Sequence, residues 1–263
     1  MQQFEGIDHF GILLALVHHM DALITAAASG LRARLESLDL LANNLANAST
    51  AGFKADREFY STYLSPESLQ GPEGTLPVQA PVVEKNWTDF HQGVTTATGS
   101  PLDVALSGSG FFTLETPSGP VYTRSGNFHL TPDGRLTGPS GDPVLDTAGK
   151  PIRLDPKLSV TIDEGGAIRQ AGGIVTRLAI VDFEDRAKLA KAGPAVFRYD
   201  NSLPPPRQAH PKVEQGRLES ANFQPAESAV RLVHVLRQFE MLQRAIALGS
   251  EMNKRAIEEV AKI

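Results

Sequence analysis

The sequence predicts an α+β protein, with a long helix near each end, the two pairing as a coiled coil, and a central all-β domain between them. Three observations carry this. Ile24, Leu31, Leu38 and Leu45 stand seven residues apart, and Ala28, Leu35 and Ala42 fill a second position at the same spacing. Leu232, Phe239, Ile246 and Val260 fall at multiples of seven, with Val235, Leu242, Gly249, Ala256 and Ile263 beside them. A sustained a/d repeat marks a helical seam that needs a partner. Between the two repeats, glycine and proline break the chain into short segments of strand-like texture.

Residues 1–19 read as an extension upstream of the helical repeat. Their apolar run, Gly11 to Val17, is far short of the roughly 20 residues a bilayer span needs. The leader MQQFEGIDHF has no Lys or Arg, and His18-His19-Met20-Asp21 is a poor cleavage site, so no cleaved secretory signal is expected. Met20, just ahead of the repeat, is the expected start.

Residues 20–63 are assigned to the first helix, from Asp21 to Ala48, and an Asn-rich turn. Asn43, Asn44 and Asn47 compete with the backbone for hydrogen bonds, and Gly52 can adopt the left-handed conformation that ends a helix. So many asparagines also suggest side chains bonding a neighbouring chain. The small seam residues Ala28 and Ala42 would admit a second helix closely.

Residues 64–101 carry Pro66, Gly71, Pro72, Gly74, Pro77, Pro81, Gly93, Gly99 and Pro101, and read as an extended connector. Residues 102–213 form the predicted β domain. Its strands are expected around Leu102–Leu106, Phe111–Thr116, Val121–Thr123 and Asn127–Thr131. A hairpin follows from Val160 to Gln170, turning at Gly165-Gly166, and Ile174–Phe183 is the longest candidate. Pro204-Pro205-Pro206 is read as a stiff linker. Residues 214–263 are assigned to the second helix, with Pro225 in its first turn. Asn253 falls on its seam, where a polar residue can fix register.

Sites for chemistry are scarce. The chain has no cysteine, which removes disulfides, thiolate metal sites and cysteine nucleophiles. A net charge of −5 marks no nucleic-acid binder. Gly108-x-Gly110 lacks the third glycine of a dinucleotide loop and reads as a turn. Gly138-Pro139-Ser140-Gly141 is followed by Asp142 where a nucleophile elbow needs glycine. The seven histidines are scattered, and Asp182, Glu184 and Asp185 read as a solvated strand end. No catalytic residue, cofactor, metal or small-molecule substrate is predicted.

The segments LDLLANNLANASTAGFKA (38–55), SPLDVALSGSGFFTLETPSGPVYTRSGNFHLTPDGRL (100–136) and GRLESANFQPAESAVRLVHVLRQFEMLQRAI (216–246) stand in the order seen in bacterial flagellar rod and hook proteins, and the chain resembles that family. Its length suits the β-domain rod proteins of the FlgF/FlgG type, and PLDVAL with Arg237-x-Phe239-Glu240-Met241 leans to the proximal-rod side. The first 19 residues have no evident counterpart, and the tail beyond Ile246 looks long and charged.

The resemblance implies a non-enzymatic structural subunit of the basal-body rod, crossing the periplasm. It would polymerise through its terminal helices with copies of itself and other rod subunits, and leave the cell through the flagellar type III export apparatus without a cleaved signal. Candidate interface residues are Leu31, Leu35, Leu38, Leu45, Leu232, Val235, Phe239, Leu242 and Ile246 on the seams. By position in the family motifs, Asn43, Asn44, Asn47, Gly52, Phe53, Leu218, Asn222 and Pro225 join them. A hook-type axial subunit, a coiled-coil adhesin or binding module and a cell-wall hydrolase are the alternatives.

Overall fold

The computed structural model describes residues 9–64, 79–200 and 202–260. They fall into two compact units. One holds residues 1–42, 58–86 and 226–263, and the other holds 43–57 and 87–225.

The first unit is built on two helices, α1 (His9–Ala46) and α2 (Pro225–Val260), with most of a two-stranded sheet formed by β1 (Asp56–Leu64) and β2 (Gln79–Thr88). Helix α1 runs upstream of Asp21 to His9, so part of the expected extension is helical. Among the described residues no helix is long and apolar enough to cross a membrane. Pro225 opens α2, where its missing N–H is not needed. The Arg231 guanidinium lies 2.7 Å from a Glu58 carboxylate oxygen and ties α2 to β1; the Glu58 side chain is only 4% exposed.

Each helix has a face covered within the chain. On α2 the seam that the heptad predicts, Leu232, Val235, Phe239, Leu242, Ile246, Gly249 and Asn253, is less exposed, as are Ser228, Ala229 and Gln238. On α1, among the described residues ahead of the Asn-rich end, the buried positions are Gly30, Ala33, Ser37 and Leu41. These are small or polar save the last, and they are not the predicted stripe. Leu31 and Leu38 are half-buried, while Ala28, Leu35 and Ala42 are exposed.

The second unit is all β and draws on more of the chain than residues 102–213. Its short strands are β3 (Thr95–Ala97), β4 (Val104–Ser107), β5 (Phe111–Thr116), β6 (Gly119–Thr123), β7 (His129–Leu130) and β8 (Leu136–Thr137). There follow β9 (Thr161–Ile162), β10 (Ala167–Gln170), β11 (Gly173–Arg177) and β12 (Ile180–Asp182). A 3₁₀ turn at Arg186–Lys188 leads to β13 (Ala190–Lys191), β14 (Val196–Arg198), β15 (Arg207–Gln208), β16 (Lys212–Gln215) and β17 (Arg217–Glu219). The main sheet is antiparallel in the order β13-β14-β6-β5-β12-β15.

Strand periodicity explains the core. Consecutive side chains on β5 point to opposite faces. Phe112 and Leu114 enter the larger cluster with Leu106, Phe128, Ile152 and Ile168, while Phe111 joins Tyr122, Phe183, Leu189 and Phe197 on the other side. Phe111 meets Phe90, Phe183 and Phe197 edge to face at 5.7–5.9 Å, the arrangement that ring quadrupoles favour.

Three expectations change here. The predicted long strand Ile174–Phe183 is two strands in two sheets. The chain breaks at Leu178 and Ala179, whose amides donate to Gly166 and Leu145 instead of continuing one ladder. The connector at 64–101 contains β2 and β3, because extended backbone with few glycines inside it pairs readily. Residues 214–219, assigned to the second helix, instead fall in β16 and β17, which pair with β4 and β3. The triple proline precedes β15 at the sheet edge, so it does not lead directly into α2.

Strand β11 edges a three-stranded sheet with β10 and β9. Its register slips against Ile168 and Arg169, leaving Val175 as the extra residue of a β-bulge. Ile174 and Val175 are exposed side by side, at 59% and 47%.

Candidate functional site

Four segments of the second unit meet in a buried polar clasp: residues 52–56, 89–93, 124–125 and 217–222. Helix α1 ends in front of it. The Asn47 amide side chain donates to the Asn43 carbonyl, and the Thr50 hydroxyl donates to Asn47 Oδ1, which closes the last turn. Asn44 makes a two-way bond with Asp56, its Nδ2 donating to the carbonyl and its Oδ1 accepting from the amide. The side chains of Asn44 and Asn47 are thus engaged within their own chain, while Asn43 lends its backbone carbonyl. Gly52 follows at φ +69°, and a Cβ there would stand 2.3 Å from the Ser125 amide nitrogen, so only glycine fits. Phe53 is fully buried, edge-on to Phe223, with Lys191 Nζ 4.5 Å above its ring.

At the centre stands Glu219, the last residue of β17. Lys54 Nζ lies 2.6 Å from its Oε1, and Arg124 Nε lies 3.0 Å from its Oε2. The Lys54 and Glu219 side chains are both 0% exposed. Lys54 also donates to the His91 carbonyl at 2.6 Å, and the Gly93 amide donates to Glu219 Oε1. Arg124 gives its terminal nitrogens to the carbonyls of Gly110 and Gly108, so that glycine turn serves as an acceptor cradle. Burial pulls the pKa of Lys54 below its ordinary value, and Glu219 offsets part of that pull. Burial lowers Arg124 in the same way, again opposed by Glu219. One carboxylate thus answers two buried cations.

Asn222 braces the other side. Its Oδ1 accepts from the Ala55 amide, and its Nδ2 donates to the carbonyls of Asp89 and His91. Asp89 is buried, which works against its charge. Bonds from the His91 amide and ring, and from Arg57, outweigh burial and hold its carboxyl below the usual carboxylate value.

The structure thus brings together Asn44, Gly52, Phe53 and Asn222 of the predicted residues, joined within one chain. Leu45, Asn47 and Leu218 are half-buried beside them, while Asn43 and Pro225 are exposed. Leu31, Leu35 and Leu38 lie on α1, and Leu232, Val235, Phe239, Leu242 and Ile246 on α2. Lys54, Asp89, His91 and Arg124 went unread in the sequence. A lone lysine or arginine is ordinarily assigned to solvent, and 165 residues separate Lys54 from its carboxylate.

Helix α2 carries a second apolar stripe opposite its covered one. Val230, Val233, Met241, Leu248 and Met252 are all exposed and recur at helical spacing, with Arg237 and Arg244 among them. On α1, Leu35 is likewise exposed, at 45%.

The family model described as "Flagella basal body rod protein" matches residues 24–54. The model "Flagellar hook protein FlgE/F/G D1 domain" matches 105–170. The model "Flagellar basal body rod FlgEFG protein C-terminal" matches 214–259, a span that takes in most of the charged tail beyond Ile246. The flagellar basal-body rod protein FlgF of Caulobacter vibrioides is 33% identical over 86% of this chain and 92% of its own length. FlgF of Mesorhizobium japonicum is 32% identical, over 88% of this chain and 96% of its own. FlgG of Bacillus subtilis is 28% identical over 85% and 93%.

Proposed function

The chain belongs to the family of flagellar basal-body rod proteins of the FlgF/FlgG type, and from that premise we propose that it builds the rod through its terminal helices. Its role is that of a structural subunit, with other flagellar components around it. In the proposed arrangement the covered stripes of α1 and α2 pair as a coiled coil within the subunit. The outward stripes meet neighbouring copies and other rod subunits. Each apolar side chain buried there contributes roughly 1.5–3 kcal/mol, and contacts that do not close on themselves extend into a filament.

The observation that carries this reading is the second apolar stripe of α2, which a helix serving only its own chain would not need. Leu35→Asp and Leu248→Asp change outward positions. In motile cells, incomplete basal bodies are expected from each, with the purified variant melting as wild type does. Complete basal bodies in both variants would overturn the helix-driven scheme.

The finer assignments rest on the same family. The subunit acts without turnover, is of the FlgF type, and reaches the periplasm-crossing rod through the export apparatus without losing a leader. Three FlgF relatives at 31–33% identity support the subtype, against 26–29% for the FlgG relatives compared. Rescue of a strain lacking FlgF, and not of one lacking FlgG, is the expected result. Mass spectrometry of isolated basal bodies checks the start residue.

A further inference from the structure

We propose that residues Arg217–Asn222 are a latch that locks the segment Gly52–Asp56 onto the β domain, so that the two ends of the unit dock together or not at all. The inference rests on the clasp alone and not on the rod assignment.

The argument is one of charge and of backbone. Lys54 and Arg124 are buried, and the ion-pair partner of both is Glu219, on the last strand of the unit. Without that carboxylate, docking Lys54 would bury an ammonium beside a guanidinium, with only backbone carbonyls to offset the desolvation cost. The backbone repeats the dependence. The Gly52 amide donates to the Glu219 carbonyl at 2.7 Å, and the Ala55 amide donates to the Asn222 side chain. The middle segment is included too. The Gly93 amide bonds Glu219, and a Cβ at Gly93 would stand 2.0 Å from the Ser220 carbonyl oxygen. The main core does not share this dependence. Phe112, Leu114, Leu136 and Ile168 bury one another without any residue of the latch. A chain that emerges amino terminus first therefore holds residues 52–56 undocked until 217–222 follow.

Hydrogen exchange on the full-length protein tests this, with Glu219→Gln as the main variant and Glu184→Gln, an exposed carboxylate paired with Arg207 away from the clasp, as control. Glu219→Gln is expected to speed exchange about a hundredfold at Gly52, Ala55, Gly93 and Ser220 together. Amides of β5 and β10 should keep wild-type protection, and the control should change neither set. Faster exchange confined to residues 217–222, or loss of the whole β domain in one step, overturns the latch, as does no change. Should Glu219→Gln fail to fold, Asn222→Ala removes three bonds and no charge. It must loosen residues 52–56 and 89–93 in concert for the proposal to stand.

Discussion

The two terminal helices carry the same repeat and use it differently. On α2 the residues predicted by the heptad are the covered ones, from Leu232 to Asn253. On α1 the covered face is turned away from the leucine stripe. It is lined by Gly30, Ala33 and Ser37, and Leu35 is left facing out. A seven-residue apolar repeat thus announces a face that will be buried somewhere, without saying against what. Small side chains let another element approach closely, and large ones exposed beside them are available for later contacts. In α2 both kinds of face are apolar, and the outer one is rich in methionine, which adapts to irregular surfaces.

The contrast can be broken most severely at Val235, buried on α2. Val235→Asp places an unpaired charge there and is expected to cost about 3 kcal/mol or more, read as a lowered midpoint in urea unfolding. Next comes a matched pair on α1. Ala33→Leu overfills the covered face and should cost about 1–3 kcal/mol, whereas Ala42→Leu on the exposed face should cost almost nothing. Equal effects in the pair would show that α1 is not covered as described.

The clasp supplies an internal standard, since it titrates where neither seam carries charge. The Asp89 carboxyl is held below its ordinary value of 3.8. Its contribution is therefore fully present above that value and lost as pH falls through the lower, folded one. Stability in urea should therefore fall as pH drops below about 4, and Asp89→Asn should remove part of that fall. The smallest effect in the monomer belongs to Leu35→Ser, within about 0.5 kcal/mol. Its consequence is expected in sedimentation of assembled filaments, not in melting.

Much of the fold was legible before any coordinates. Both helices, the start of α2 at Pro225 and the hairpin turning at Gly165-Gly166 follow from spacing and turn chemistry. The break inside Ile174–Phe183 did not, because an apolar β-branched run reads the same whether it stays in one sheet or passes to another. The site was half legible. Asn44, Gly52 and Asn222 stood out as cap, stop and motif residues, but their partners lie across the chain. Lys54 and Arg124 look like any surface cations until Glu219 is placed between them.

The misaligned step at Val175 has a bearing on growth. An intact, flat strand margin with Ile174 and Val175 in view would invite sideways stacking into sheets. The kink denies an incoming strand a regular ladder. Lateral aggregation is thereby discouraged at this apolar β margin.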